Sequence, residues 1–173
     1  MANLSLIPIM TSNTAPSGVA SGSTKYATVD YYFAFKPNLN GWLTAAANTG
    51  YLQYQFPASN LVRSYSIIPW SVDNFPGRSP KTWTFQGSND GAAWTTLDTQ
   101  TNYVGWVFNM PSYFIFNNNL RFLYYKLAIT LNGGNAYLGI QHLAIYPYLG
   151  ANYLHARRDR MNMRGVSTQN SLA

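Results

Sequence analysis

The chain has 173 residues, 47% of them hydrophobic and 16% aromatic, with eleven Lys and Arg against five acids for a formal charge of +6. It has no cysteine, which excludes disulfides, thiolate catalysis and Cys-bound zinc. The length fits one domain with a full core, and so moderate a charge on so large a body argues against a nucleic-acid partner.

Charged residues are only 9% of the chain, and every acid is Asp. Such a surface is covered by uncharged polar side chains, is buried against other subunits, or both. Tyrosine, β-branched residues, Asn, Ser, Thr and Gly suit pleated, half-buried strands better than helices. A domain of this size without disulfides is expected to fold in a reducing cytoplasm. The first ten residues, MANLSLIPIM, lack a basic leader and are broken by Pro8, so no signal segment is expected. No stretch is long enough to insert in a membrane.

Taken in order, residues 1–9 are a lead-in. Residues 11–24 are small, polar and turn-forming, and are expected to lie irregularly across a sandwich. Residues 33–49, with Pro37, Gly41 and several Asn, read as loop, with one helical turn at 43–47. Residues 51–56 alternate, putting Leu52, Tyr54 and Phe56 on one face. Residues 61–68 are the next run, stopped by Pro69. Residues 81–86 set Trp83 and Phe85 opposite Thr82, Thr84 and Gln86; residues 87–91, Gly-Ser-Asn-Asp-Gly, turn the chain into a return strand at 93–98. In that turn Gly87 and Gly91 are expected to supply positive φ. Strands at 113–116, 121–130 and 136–146 follow, separated by Asn117-Asn118-Asn119 and Gly133-Gly134-Asn135. Short strands at regular spacing predict an all-β fold, an antiparallel β-sandwich. Trp83, Phe85, Trp94, Leu123, Leu127 and Ile129 are its predicted core.

The run Pro80 to Gly91 followed by Trp94-Thr95-Thr96-Leu97-Asp98 resembles the signature hairpin of the discoidin-like domains. These are the coagulation-factor type C domains and the family 32 carbohydrate-binding modules, which share a galactose-binding-like jelly roll. Segments 10–23, 50–56, 121–130 and 138–146 agree with that family in order, so the resemblance covers residues 10–146. It implies ligand binding at loops on one end of the roll. Many relatives also hold calcium, with an Asp after an Ala-Phe-like pair and a Glu on the closing strand. Here Ala34-Phe35 is followed by Lys36, and Gln141-His142 stand where the Glu would be. No metal site and no cofactor are therefore expected.

Catalysis is not expected either. Glycoside hydrolysis needs two carboxyl groups at a set separation. Asp90 is a turn residue, Asp98 ends a strand, Asp159 lies in the tail, and nothing pairs Asp30 with Asp73. His142 and His155 come with no metal-ligand spacing.

Sugar sites use aromatic faces with a few polar groups that fix orientation. The segment 70–79 gathers Trp70, Asp73, Asn74, Phe75 and Arg78, the candidate ligand-binding residues. Trp70 and Phe75 either stack on a sugar or cap the core. Tyr103, Trp106 and Phe108 form a second aromatic cluster, and Tyr26, Tyr31 and Tyr32 a third; either could be a subunit contact.

Scarce charge, absent cysteine and an adhesion-type domain together lead to the expectation of a phage virion component made in a host cytoplasm: a tail, collar, baseplate or fibre protein that self-associates, meets other virion subunits and binds a host-surface glycan. The alternatives are a pure assembly protein with a degenerate pocket and, more remotely, a glycan-processing enzyme. Residues 147–173 form a basic arm, with four Arg against Asp159. Tyr153, Arg157, Arg158 and Arg160 are expected to dock it on a neighbouring subunit.

Overall fold

Two-residue alternation decides which side chains meet. The computed structural model describes residues 5–37 and 41–148. Among these residues nine strands follow one another: β1 Val19–Gly22, β2 Trp42–Leu43, β3 Gly50–Leu61, β4 Ser64–Pro69, β5 Pro80–Ser88, β6 Thr95–Gln100, β7 Ser112–Ile115, β8 Arg121–Asn132 and β9 Gly139–Tyr146. They form two antiparallel sheets, a five-stranded one in the order β1-β3-β8-β5-β6 and a four-stranded one in the order β2-β9-β4-β7. The fold is the expected discoidin-like β-sandwich.

Between the sheets lie Leu52, Tyr54 and Phe56 of β3, Trp83 and Phe85 of β5, and Tyr125, Leu127 and Ile129 of β8. Tyr65 and Ile67 of β4 and Leu143 and Ile145 of β9 meet them from the other side. Burying each such side chain contributes about 1.5–3 kcal/mol. Tyr65 is the centre of the aromatic packing, stacked on Phe85 at 4.4 Å and on Phe114 at 4.9 Å. Burial pushes its phenol far above the usual range, with the neighbouring Asp98 charge adding to the effect. From the lead-in, Ile7 is buried and Leu6 N donates to Ile145 O at 2.8 Å, so these residues join the sandwich beside β9.

Four expectations are corrected. Leu123 is half-buried, and Phe122 takes the inward place at 6% exposure. The register of β3 on β8 slips between Gln55 and Asn60, and the bulge reverses the alternation there. Trp94 is half-buried on the outer side, with the Lys126 ammonium 3.7 Å from its ring; Leu97 is the β6 residue that packs against the core. Residues 43–47 form no helical turn. The helical turn is a 3₁₀ helix at Tyr31–Phe35, started by Asp30, whose side chain accepts from Tyr31 N. Gly91 has the expected positive φ of 72°, but Gly87 does not. Gly87 is required because an added Cβ would lie 2.4 Å from the Phe122 ring.

Candidate functional site

β4 ends and β5 begins at one pole of the sandwich, where β8 also ends and β9 begins. The loops 70–79 and 133–138 are therefore neighbours, and backbone bonds join them: Gly133 N to Ser79 O at 3.0 Å, Asn135 N to Gly77 O at 3.2 Å and Gly139 N to Arg78 O at 2.8 Å. Within the first loop Asn74 has φ +49° and the Phe75–Pro76 peptide is cis. Segment 23–30 reaches the same pole, where Tyr26 N donates to Leu43 O.

Trp70 does not offer a stacking face. It is only 6% exposed, and its ring lies against Gly139, where an added Cβ would meet it at 2.8 Å. Its indole N–H donates to Asp73 Oδ1 at 2.7 Å. Of the two readings of Trp70, its burial fits the cap on the core, and its indole orients the carboxylate above it.

That carboxylate organises the loop. Asp73 also accepts from Arg78 Nη1 and from Asn74 Nδ2 at 3.3 Å. Arg78 is gripped on its other sides, by Asn135 Oδ1 at 3.4 Å from Nε and by the Tyr137 ring, 5.2 Å from the guanidinium carbon. Its side chain is 14% exposed, whereas that of Asp73 is 50% exposed. Arg78 is thus a fixed, charge-neutralised donor, and Asp73 and Asn74 are the groups turned to solvent. Tyr26 is exposed and meets Tyr137 edge-on at 5.8 Å. The pole therefore joins an Asp–Arg pair, two side-chain amides and two tyrosine rings, one of them exposed.

Phe75 is half-buried and lies edge-on to exposed Phe108 at 5.5 Å. The adjoining loop 101–111 is tied down by Asn109 N donating to Ser71 Oγ at 2.8 Å. Its Tyr103 and Trp106 pack on the core, Trp106 stacked on Trp83 at 5.7 Å, so that cluster divides. Val72, Val104, Val107, Phe108 and Met110 stay exposed on these two loops.

Tyr137 and Asn135 were not singled out from the sequence. The Gly-Gly-Asn turn before Tyr137 was the available signal, because it ends the strand paired with β5 and so brings residues 135–137 beside loop 70–79. Of the third aromatic cluster, Tyr26 joins the site, whereas the Tyr31 hydroxyl donates to Ser23 O at 2.7 Å.

The four described carboxylates are each held by structural partners. Asp30 accepts from Asn13, Lys25 and Tyr31 N; burial raises its pKa, but these bonds outweigh it and hold the group below its ordinary value. Asp90 accepts from Ser88, Ala92 N and Ala93 N, which lowers its pKa. Asp98 accepts from Tyr65 and Gln100. Among the described residues the ion pairs are Arg78–Asp73 and Lys25–Asp30.

Among the described residues, those at the positions the resemblance implies do not fit its calcium site. The Lys36 ammonium lies over Phe33 at 4.3 Å and Tyr32 at 4.9 Å. Gln141 is buried, neutral, and donates to Asn109 Oδ1 at 2.9 Å. Among the described residues no three His, Cys, Asp or Glu come together. The proposed docking residues Tyr153, Arg157, Arg158 and Arg160 lie outside the described residues.

No protein-family model matches the chain, and no curated protein matches it in sequence. Solved structures do match it in fold. A family 32 carbohydrate-binding module from Clostridium perfringens, in complex with GalNAc-β-1,3-galactose, superposes with a TM-score of 0.63 at 16% identity, covering 75% of this chain and 94% of its own. Another family 32 module, in complex with 4,5-unsaturated mannuronic acid, gives 0.62 at 17% identity over 75% and 95%. A chitosan-binding module from a chitosanase/glucanase of Paenibacillus sp. gives 0.60 at 20% identity over 78% and 98%.

Proposed function

We propose that the chain is a non-catalytic glycan-binding module, with its site at the pole formed by loops 23–30, 70–79 and 133–138. The observation that carries this reading is the Asp73–Arg78 pair set beside Tyr137. A planar, neutralised donor–acceptor pair suits vicinal sugar hydroxyls, each of which donates and accepts, and the adjoining tyrosines offer the apolar faces that pyranose rings favour. A neutral or hydroxyl-rich sugar is the ligand class. Likeness to modules solved with saccharides supports the reading.

The setting belongs to the same proposal: a phage virion adhesion or structural protein in which many weak sites act together on a symmetric particle. The scarcity of charge supports it. A glycan array on the intact protein, beside Arg78→Ala and Tyr137→Ala, tests the sugar reading. Binding that both variants abolish while their melting curves match the wild type is the expected result. Binding that survives both would move the site elsewhere, and no binding to any glycan would reject the reading.

The exposed apolar residues Val72, Val104, Val107, Phe108 and Met110 favour a second reading, in which this pole is an assembly contact. Phe108→Ser and Val107→Ser would then lower the oligomer mass seen by light scattering and leave glycan binding intact.

A further inference from the structure

The pole opposite these loops has a cleft of its own. β3 turns into β4 there, β7 connects to β8, and the chain leaves β9. The cleft measures about 440 Å³ and is lined by Arg63, Ile115, Phe116, Asn117, Asn119 and Tyr148, with Asn118 at its base. That volume lies within the range of roughly 300–1,000 Å³ typical of small-molecule sites.

Its base is rigid. Asn118 Nδ2 donates to Val62 O and Leu120 O, both at 2.9 Å, and its Oδ1 accepts from Leu120 N at 2.9 Å. The Asn118 carbonyl in turn accepts from Arg63 Nε at 2.9 Å. One edge of the Arg63 guanidinium is therefore pinned. Among the described residues nothing accepts from its two terminal nitrogens, and no carboxylate lines the cleft. This is the reverse of Arg78, whose charge is met by Asp73. Asn117 and Asn119 are exposed on either side of the base, Tyr148 is 64% exposed, and Ile115 is 53% exposed.

An oriented guanidinium whose terminal nitrogens are open among the described residues matches a carboxylate in two-point contact. Flanking amides match hydroxyls, and an open tyrosine ring matches a sugar face. We propose that this cleft is a second saccharide site, selective for an acidic sugar. A hexuronate carboxylate pairs with the terminal nitrogens of Arg63, its hydroxyls bond Asn117 and Asn119, and its ring lies on Tyr148. The assignment does not depend on the loop pole, since no residue is shared between the two sites.

The test is isothermal titration of the full chain with tri-galacturonate and with its methyl ester, which keeps the hydroxyls and removes the charge. The acid is expected to bind at least tenfold more tightly than the ester. Arg63→Gln and Tyr148→Ala should each weaken the acid at least fivefold, with unchanged melting curves, and Arg78→Ala should leave it unaltered. Should Arg63→Gln fail to fold, Tyr148→Ala and Asn119→Ala carry the test, because both positions are exposed. Equal binding of acid and ester, no heat at millimolar sugar, or acid binding lost in Arg78→Ala and kept in Arg63→Gln would each overturn the assignment. A glutamate-rich peptide that binds as tightly, with the same losses, would overturn the sugar in favour of a protein carboxylate. Loss of neutral-glycan binding in Arg78→Ala reports on the other pole alone.

Discussion

The indole N–H of Trp83 donates to the Tyr65 hydroxyl at 2.8 Å across the gap between the two sheets. That hydroxyl in turn donates to Asp98 Oδ2 at 2.7 Å, on the strand beside Trp83. Three side chains on three strands thus satisfy one another in a core where an unpaired polar group is costly. Tyr65→Phe keeps the ring stacking but strands the Trp83 N–H. It should cost about 1–3 kcal/mol, read as a lower urea midpoint at an unchanged slope. An unaltered midpoint would show that water replaces the hydroxyl.

Gly87→Ala should destabilise through overpacking. The new methyl would lie 2.4 Å from the Phe122 ring, which is itself turned inward where the register of β3 on β8 slips. A loss of about 1–3 kcal/mol is expected. In the Phe122→Leu background the same glycine substitution should cost less, so a double-mutant cycle by chemical denaturation measures the clash directly.

Trp70→Phe separates capping from binding. It preserves most of the buried ring but removes the donor to Asp73. Stability should fall by about 0.5–1.5 kcal/mol, and glycan affinity should fall as well, because Asp73 is then held only by Arg78 and Asn74. Affinity unchanged by this variant would free Asp73 from any part in the site.

Acid should weaken the fold through His142. Burial pushes its imidazole down from 6.5 to about 4. The folded chain therefore resists a proton that the unfolded chain accepts, so the contribution is complete above pH 6.5 and declines until pH falls through about 4. Melting temperatures of the wild type should drop across that window, and those of His142→Gln should drop less. Parallel profiles would assign the acid sensitivity to the carboxylates instead.

Calcium should leave the melting temperature unchanged, with or without a chelator. A ligand that binds only the folded state raises it, and the Lys36 ammonium over Phe33 occupies the position where the resemblance calls for an acid. A rise of several degrees reversed by chelator would point to carbonyl ligands.

The strand pattern was legible because alternation and turn residues are local. Leu52-Tyr54-Phe56 and Trp83-Phe85 reach the core as their spacing requires. Leu123 failed because a bulge is a relation between two strands and leaves little trace in one of them. Trp94 failed because size suggested burial, whereas its position before β6 placed it over Lys126. In loop 70–79, Asp73, Asn74 and Arg78 were legible as neighbours and are joined by hydrogen bonds, whereas Phe75 turns to Phe108. The burial of Trp70 was not legible, since its ring lies against Gly139, 69 residues away on β9. Tyr137 escaped notice for a similar reason: its nearness to Arg78 arises only once β8 and β5 pair.

Both ion pairs among the described residues, Lys25–Asp30 and Arg78–Asp73, sit in segments 23–30 and 70–79. Apart from the Tyr65–Asp98 bond, the sheets themselves are held by apolar burial and neutral hydrogen bonds, with no ion pair among the described residues. Added salt, which screens exposed charges within about 8–10 Å near physiological strength, therefore has little to act on in the body of the sandwich. Its effect should fall on the loops. Ionic strength thus becomes a means of loosening the loop pole while the scaffold beneath it stays as it was.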